Sequence, residues 1–109
     1  MLDLEQPGSQ NTREYYHGKN KEMITIYSKD YCPYCDGAKA YLTKIGVEHE
    51  VIDVTNDMEL KLWLKDQGHK TVPQIYYKGQ LFVEGGYTGL SNMLPNDIED
   101  RKRVITESL

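Results

Sequence analysis

At 109 residues, 39% of them hydrophobic and 28% charged, the chain has the composition of one soluble domain with a modest core. Its formal net charge of −4, with the basic residues scattered along the chain, gives no reason to expect nucleic acid as a partner. There is no run of about twenty apolar residues and no charged-then-apolar amino terminus, so neither a membrane span nor a secretory signal is expected.

Residues 1–22 are polar, carry Pro7-Gly8 and show no sustained period, which predicts a flexible extension. Tyr15-Tyr16 offers an alternative, pinning that segment to the domain surface, because aromatic rings bury large apolar area. The compact domain, 23–109, is expected to open at Met23, where Met23-Ile24-Thr25-Ile26-Tyr27-Ser28 is rich in β-branched and aromatic residues and reads as a strand. From Pro33 to about Ile45, the residues Ala38, Tyr41, Leu42 and Ile45 recur at the steps of one helical face, and Gly46 is a stop signal. Glu48 to Asp53 reads as a second strand, so the helix between the two implies a β-α-β crossover and parallel pairing. A second helix is predicted from about Asp57 to Gln67, capped by Asn56 or Asp57 and ended by Gly68; Leu60, Trp63 and Leu64 share its face, with Trp63 as core. Gln74 to Lys78 and Leu81 to Glu84 flank Gly79-Gln80 and predict an antiparallel hairpin. After Gly85-Gly86 a short helix is expected from about Thr88 to Leu94. Beyond Pro95, Asn96 is expected to cap a polar helix through Ile105, whose apolar face is limited to Ile98, Val104 and Ile105.

Both cysteines fall in Tyr31-Cys32-Pro33-Tyr34-Cys35, where the first strand hands over to the first helix. Proline suits the first helical position, which places Cys32 at the cap and Cys35 in the first turn. A free thiol has a pKa of about 8.5, and the thiolate is the attacking form. The helix dipole favours an anion at that end by at most about 2 kcal/mol, roughly one and a half pKa units. A stronger shift needs further donors, for which the Tyr34 and Cys35 amides and the charge of Lys29 are candidates. Cys32 is therefore expected to be the exposed attacking thiol and Cys35 the less exposed resolving one.

Other uses of the pair fit less well. A structural zinc site needs four ligands, there is no second cysteine pair, and His17, His49 and His69 do not form a ligand pair, so no metal is expected. A disulfide closing so short a loop restricts the unfolded chain little, which argues against a structural bridge. Two cysteines in a redox spacing and none elsewhere suit a reducing, cytoplasmic setting.

With Thr71-Val72-Pro73 and Gly85-Gly86 following at these distances, Cys32-Pro33-Tyr34-Cys35 resembles the site of a dithiol glutaredoxin, over about Met23 to Leu94. The resemblance implies an α/β, thioredoxin-like fold, a central four-stranded mixed sheet flanked by helices, in a chain acting as a monomer. It implies a glutathione-dependent enzyme that reduces protein disulfides and protein–glutathione mixed disulfides, with ribonucleotide reductase among the family's substrates. By the same resemblance Pro73 follows a cis bond, as a deliberate tight turn requires. The bland alternative is a trans proline opening an edge strand. Lys29, Tyr34, Thr71, Val72 and Pro73 would line a groove for glutathione, and the amides of Gly86, Tyr87 and Thr88 would hold its γ-glutamyl carboxylate at a helix start. Lys70 matches a position often basic in the family and is either a partner for the other carboxylate or simply solvated.

Two features depart from the family pattern. Many members carry an aspartate where this chain has Gly89, so no carboxylate is expected there to meet the ammonium of glutathione; and the amino-terminal extension has no counterpart in the motif. Two rival functions remain beside the first. A thioredoxin-like reductant served by a flavoprotein reductase usually carries Cys-Gly-Pro-Cys, and an iron–sulfur carrier of the monothiol type usually carries Cys-Gly-Phe-Ser.

Overall fold

The structure, a computed structural model, describes residues 23–108; the predicted extension with Tyr15-Tyr16 lies outside the described residues. Strand β1 (Ile24–Ser28) pairs in parallel with β2 (His49–Asp53), and helix α1 (Pro33–Lys44) makes the crossover between them. Helix α2 (Met58–Asp66) leads to the hairpin of β3 (Gln74–Tyr77) and β4 (Gln80–Val83), and α3 (Gly86–Ser91) and α4 (Pro95–Glu107) follow. β3 lies antiparallel to β1, giving a mixed sheet of order β2-β1-β3-β4. The expected four-stranded architecture is the one observed. No helix among the described residues is long and apolar enough to cross a membrane.

The sheet is covered on both faces, which is why β1 is buried along its whole length. Alternation sends Ile24 and Ile26 to one face, with Ala38 and Leu42 of α1, Leu90 of α3 and Ile98 and Ile105 of α4. It sends Tyr27 to the other, with Leu60 and Leu64 of α2 and Tyr76 of β3. Each fully buried aliphatic side chain contributes about 1.5–3 kcal/mol, so the larger first cluster is what docks α1, α3 and α4. Thr25, buried in β1, remains satisfied because its hydroxyl donates to Glu50 Oε2 at 3.2 Å. Trp63 packs half-buried against Tyr27 and Tyr76, a core role as expected.

The structure corrects several details of the sequence reading. The hairpin turn is Lys78-Gly79, one residue earlier than Gly79-Gln80: both have positive φ, 52° and 80°, the conformation that a two-residue turn matching strand twist demands. Gln80 is already paired with Tyr77 in the sheet. A bulge between Ile75 and Tyr76 then breaks strict alternation, so that Phe82 and Val83, neighbours in β4, both reach the first core. The short helix starts at Gly86 rather than Thr88 and ends at Ser91 rather than Leu94, because Gly85, at φ 88°, takes the left-handed cap that glycine allows.

The last helix is capped by Leu94, not Asn96. Pro95 occupies its first position, and the Asp97 carboxylate accepts the Leu94 N–H at 2.9 Å. Its apolar face is narrower than expected: Val104 points outward, and what joins Ile98 and Ile105 in fastening the helix is Arg101. The Arg101 guanidinium donates to the carbonyls of Phe82 and Leu81 at 2.9 and 3.2 Å, covering the exposed edge of β4.

Candidate active site

Cys32 stands at the cap of α1 with extended backbone, and Pro33 opens the helix. The first turn thereby aims a backbone amide at the sulfur: Cys35 N–H donates to Cys32 Sγ at 3.2 Å. Of the two amides expected to do this, that of Cys35 makes the contact. The cysteines are joined as a disulfide, with Cα atoms 5.2 Å apart. Cys35 is 1% exposed and Cys32 6%, so the order of accessibility is as expected, but Cys32 is not an open thiol. Its sulfur lies against the 71–73 loop, 3.9 Å from the Val72 carbonyl oxygen.

That loop is held from three sides. The Val72–Pro73 bond is cis. Gln74, buried in β3, donates from Nε2 to the Thr71 carbonyl at 2.7 Å and so spans the turn. At the far side α3 presses on it: a Cβ on Gly86 would come within 2.7 Å of the Pro73 carbonyl oxygen, so only glycine permits this approach. Tyr87 folds back over α1, where a Cβ on Gly37 would meet its ring at 2.9 Å, and stands 6.3 Å from the half-exposed Tyr34 ring.

These contacts frame a groove of about 690 Å³ beside the cysteines. Tyr34, Lys70, Thr71, Val72, Pro73, Gly86, Tyr87 and Thr88, all singled out from the sequence, line it together. Lys29 does not. It lines a neighbouring groove with Tyr31, because β1 ends there on the other side of the Thr71-Val72 backbone. Sequence reasoning missed Gln74, whose burial at a strand start is invisible locally, and Glu84, which lines the groove beside Gly85. His69 was weighed only as a metal ligand. Among the described residues no three His, Cys, Asp or Glu side chains gather as metal ligands would.

His69 stands between the two grooves, its Nε2 2.8 Å from the Tyr76 hydroxyl. Desolvation holds its pKa below the ordinary 6.5, and burial pushes the Tyr76 hydroxyl up. With a depressed pKa, the folded form takes up the proton less readily than the unfolded chain. The stability this group contributes is complete above pH 6.5 and is lost as pH falls through the depressed value. The thermal midpoint should therefore decline as the pH falls below 6.5, and less steeply in His69→Gln; equal slopes in the two proteins would contradict the assignment.

The family model described as glutaredoxin matches residues 24–82, a span that holds both cysteines and the Thr71-Val72-Pro73 loop. The chain belongs to the glutaredoxin family. It is 38% identical over 61 residues to Glutaredoxin-1 of Rhizophagus irregularis, a match covering 52% of this chain and 60% of that protein's length. It is 38% identical over 58 residues to Glutaredoxin 3 of Escherichia coli, covering 52% of this chain and 70% of that one. Its fold is that of the solved buckwheat glutaredoxin–glutathione complex, with a TM-score of 0.66 at 17% identity over 90% of this chain and 92% of that one.

Proposed function

We propose that this glutaredoxin-family protein is a thiol–disulfide oxidoreductase that takes electrons from glutathione and reduces protein disulfides and protein–glutathione mixed disulfides. The observation that carries the reading is the placement of Cys32 at a helix cap, its sulfur bonded by an amide, at the edge of a groove formed by the residues the resemblance assigns to glutathione. The buckwheat relative of the same fold was solved with glutathione, which supports it.

In this reading the reduced Cys32 thiolate attacks a substrate disulfide. A Cys32–substrate disulfide forms and one substrate sulfur leaves as thiolate, taking up a proton. For a disulfide within a protein, Cys35 then attacks Cys32, releases the reduced product and leaves the Cys32–Cys35 disulfide seen in the structure. Two glutathione molecules restore the dithiol, becoming glutathione disulfide. For a protein–glutathione mixed disulfide, Cys32 keeps the glutathionyl group and a second glutathione removes it. The Cys35 amide stabilises the thiolate of Cys32 both as nucleophile and as leaving group.

The glutathione backbone would pair with Val72, and the amides of Gly86, Tyr87 and Thr88 would take the γ-glutamyl carboxylate. Glu84, exposed at that same end, would meet the neighbouring ammonium in place of the carboxylate that Gly89 lacks. Lys70, with Lys29 reaching from the adjoining groove, would take the glycyl carboxylate. The test is reduction of a small uncharged mixed disulfide by the native chain with glutathione, glutathione reductase and NADPH. Turnover that depends on both the chain and glutathione is expected; turnover supported only by a flavoprotein thioredoxin reductase would overturn the glutathione reading in favour of the thioredoxin-like one.

A further inference from the structure

A protein–glutathione mixed disulfide has two arms that meet at the sulfur Cys32 attacks. If glutathione fills the groove on the Tyr34 side, the protein arm must leave across the other. That side is a second groove of about 480 Å³, and it shares the Thr71-Val72 backbone with the first. Its floor is apolar, made by Val54, Leu64 and Val72, and its rim carries four exposed lysines, Lys29, Lys61, Lys65 and Lys70. None of the four makes an ion pair with another described residue. The one carboxylate on the lining, Asp30, lies beside Asp53, whose carboxylate raises its pKa.

At the mouth stands Tyr31, the residue before Cys32. It is 99% exposed, and its backbone is held at φ 55°, a conformation a bulky side chain rarely adopts. An aromatic ring in water beside a redox sulfur, over an apolar floor ringed by ammonium groups, is complementary to one kind of chain: an extended acidic segment with an apolar residue.

We propose that this second groove docks the protein arm of the substrate and selects acidic segments flanking the target disulfide, with Lys61 and Lys65 as specificity determinants. The proposal rests on the oxidoreductase reading but not on glutathione as electron source. It also opposes the whole-molecule field. A protein of net charge −4 repels an acidic peptide at long range, so a preference for one must come from a local patch.

The test is a single turnover without glutathione. The fully reduced chain is mixed with synthetic peptides that each contain one internal disulfide, flanked by either Asp and Glu or Lys. Two electrons pass from Cys32 and Cys35 to the peptide, which leaves as a dithiol while the protein becomes the disulfide. The acidic peptide should react faster by roughly tenfold at about 0.01 M salt, where the Debye length is about 30 Å, and the ratio should approach one at about 1 M, where it is about 3 Å. Lys61→Glu/Lys65→Glu should erase the preference while leaving the rate with uncharged hydroxyethyl disulfide unchanged. Lys44→Glu/Arg103→Glu, which changes net charge equally at two exposed positions outside the groove lining, should keep it. Equal or inverted rates in the native protein, or a preference that survives in Lys61→Glu/Lys65→Glu, would overturn the proposal. The acid preference is read from this single turnover alone, so a failure of glutathione-dependent steady-state turnover counts against the glutathione reading and leaves the docking result standing.

Discussion

Cys32→Ser is expected to lose more than about 1,000-fold of the glutathione-dependent reduction of a small mixed disulfide, while Cys35→Ser keeps rates within about threefold of native. The asymmetry follows from the cap. Cys32 Sγ receives the Cys35 amide and lies at the groove edge, whereas the Cys35 side chain is one turn inside the helix and 1% exposed. A serine hydroxyl at position 32 cannot form the covalent disulfide intermediate, so no residual route passes electrons through it. Cys35 is needed only to resolve a bond that glutathione can also resolve, and its backbone N–H remains in the serine variant to stabilise the Cys32 thiolate. Reduction of a disulfide within one protein, run without glutathione, should separate the two steps further, because Cys35→Ser must then stop at the mixed disulfide, visible by mass as a trapped adduct. An active Cys32→Ser protein, or a Cys35→Ser protein as dead as Cys32→Ser, would falsify this assignment of roles.

A side chain at Gly89 carries the second large effect. A Cβ there would overlap the Glu84 carbonyl oxygen, and would lie 3.0 Å from the carbon of that carbonyl and 3.1 Å from Val83 Cγ2. The obstacle is backbone at the end of β4, so no rotamer relieves it. α3 must move, and with it Leu90, which is fully buried in the core, and Gly86, which is seated on Pro73. Overpacking usually costs about 1–3 kcal/mol and more where backbone has to shift. At about 4–8 °C per kcal/mol for a domain of this size, a loss of about 3 kcal/mol or more puts the melting point of Gly89→Ala at least about 12 °C below native. Gly89→Asp should be no better, which gives a physical reason for the absence of the family's aspartate here: the helix start has closed onto the strand end. Gly37→Ala is the control, since its Cβ meets a tyrosine ring rather than backbone and should cost less. Thermal melts followed by circular dichroism decide the matter, and a Gly89→Asp protein melting within about 3 °C of native would refute the packing argument.

The site was legible in part, and the misses share a cause. Cys32 at the cap, Pro33 at the first helical position and Cys35 one turn on could be read directly, because capping is decided by residues within one helical turn. The cap of α2 was narrowed to Asn56 or Asp57 for the same reason, and it is Asp57 that accepts the Leu60 amide at 3.0 Å. Asn96 misled because it is a good cap in isolation, while Pro95 and Asp97 together set the boundary two residues earlier. The hairpin turn was misplaced by one residue and the bulge opposite Ile75 and Tyr76 was not foreseen, since register depends on what the partner strand and the core accept.

What the amino-acid sequence determined by itself was the chemistry and its local setting: a dithiol at a strand-to-helix junction, the alternation that buries β1 on both faces, and the order of elements that yields a mixed sheet. Those properties depend on neighbours within a few residues, where spacing and propensity act. Only the tertiary structure decided which residues share a groove. Tyr34 meets Tyr87, Gln74 clamps Thr71 beneath Cys32, and Lys29 falls on the far side of Val72 among lysines from α2. These pairings join segments far apart in the chain, and their positions are set by how the two cores pack α1, α2 and α3 against the sheet, a matter of shape and volume that local pattern does not encode.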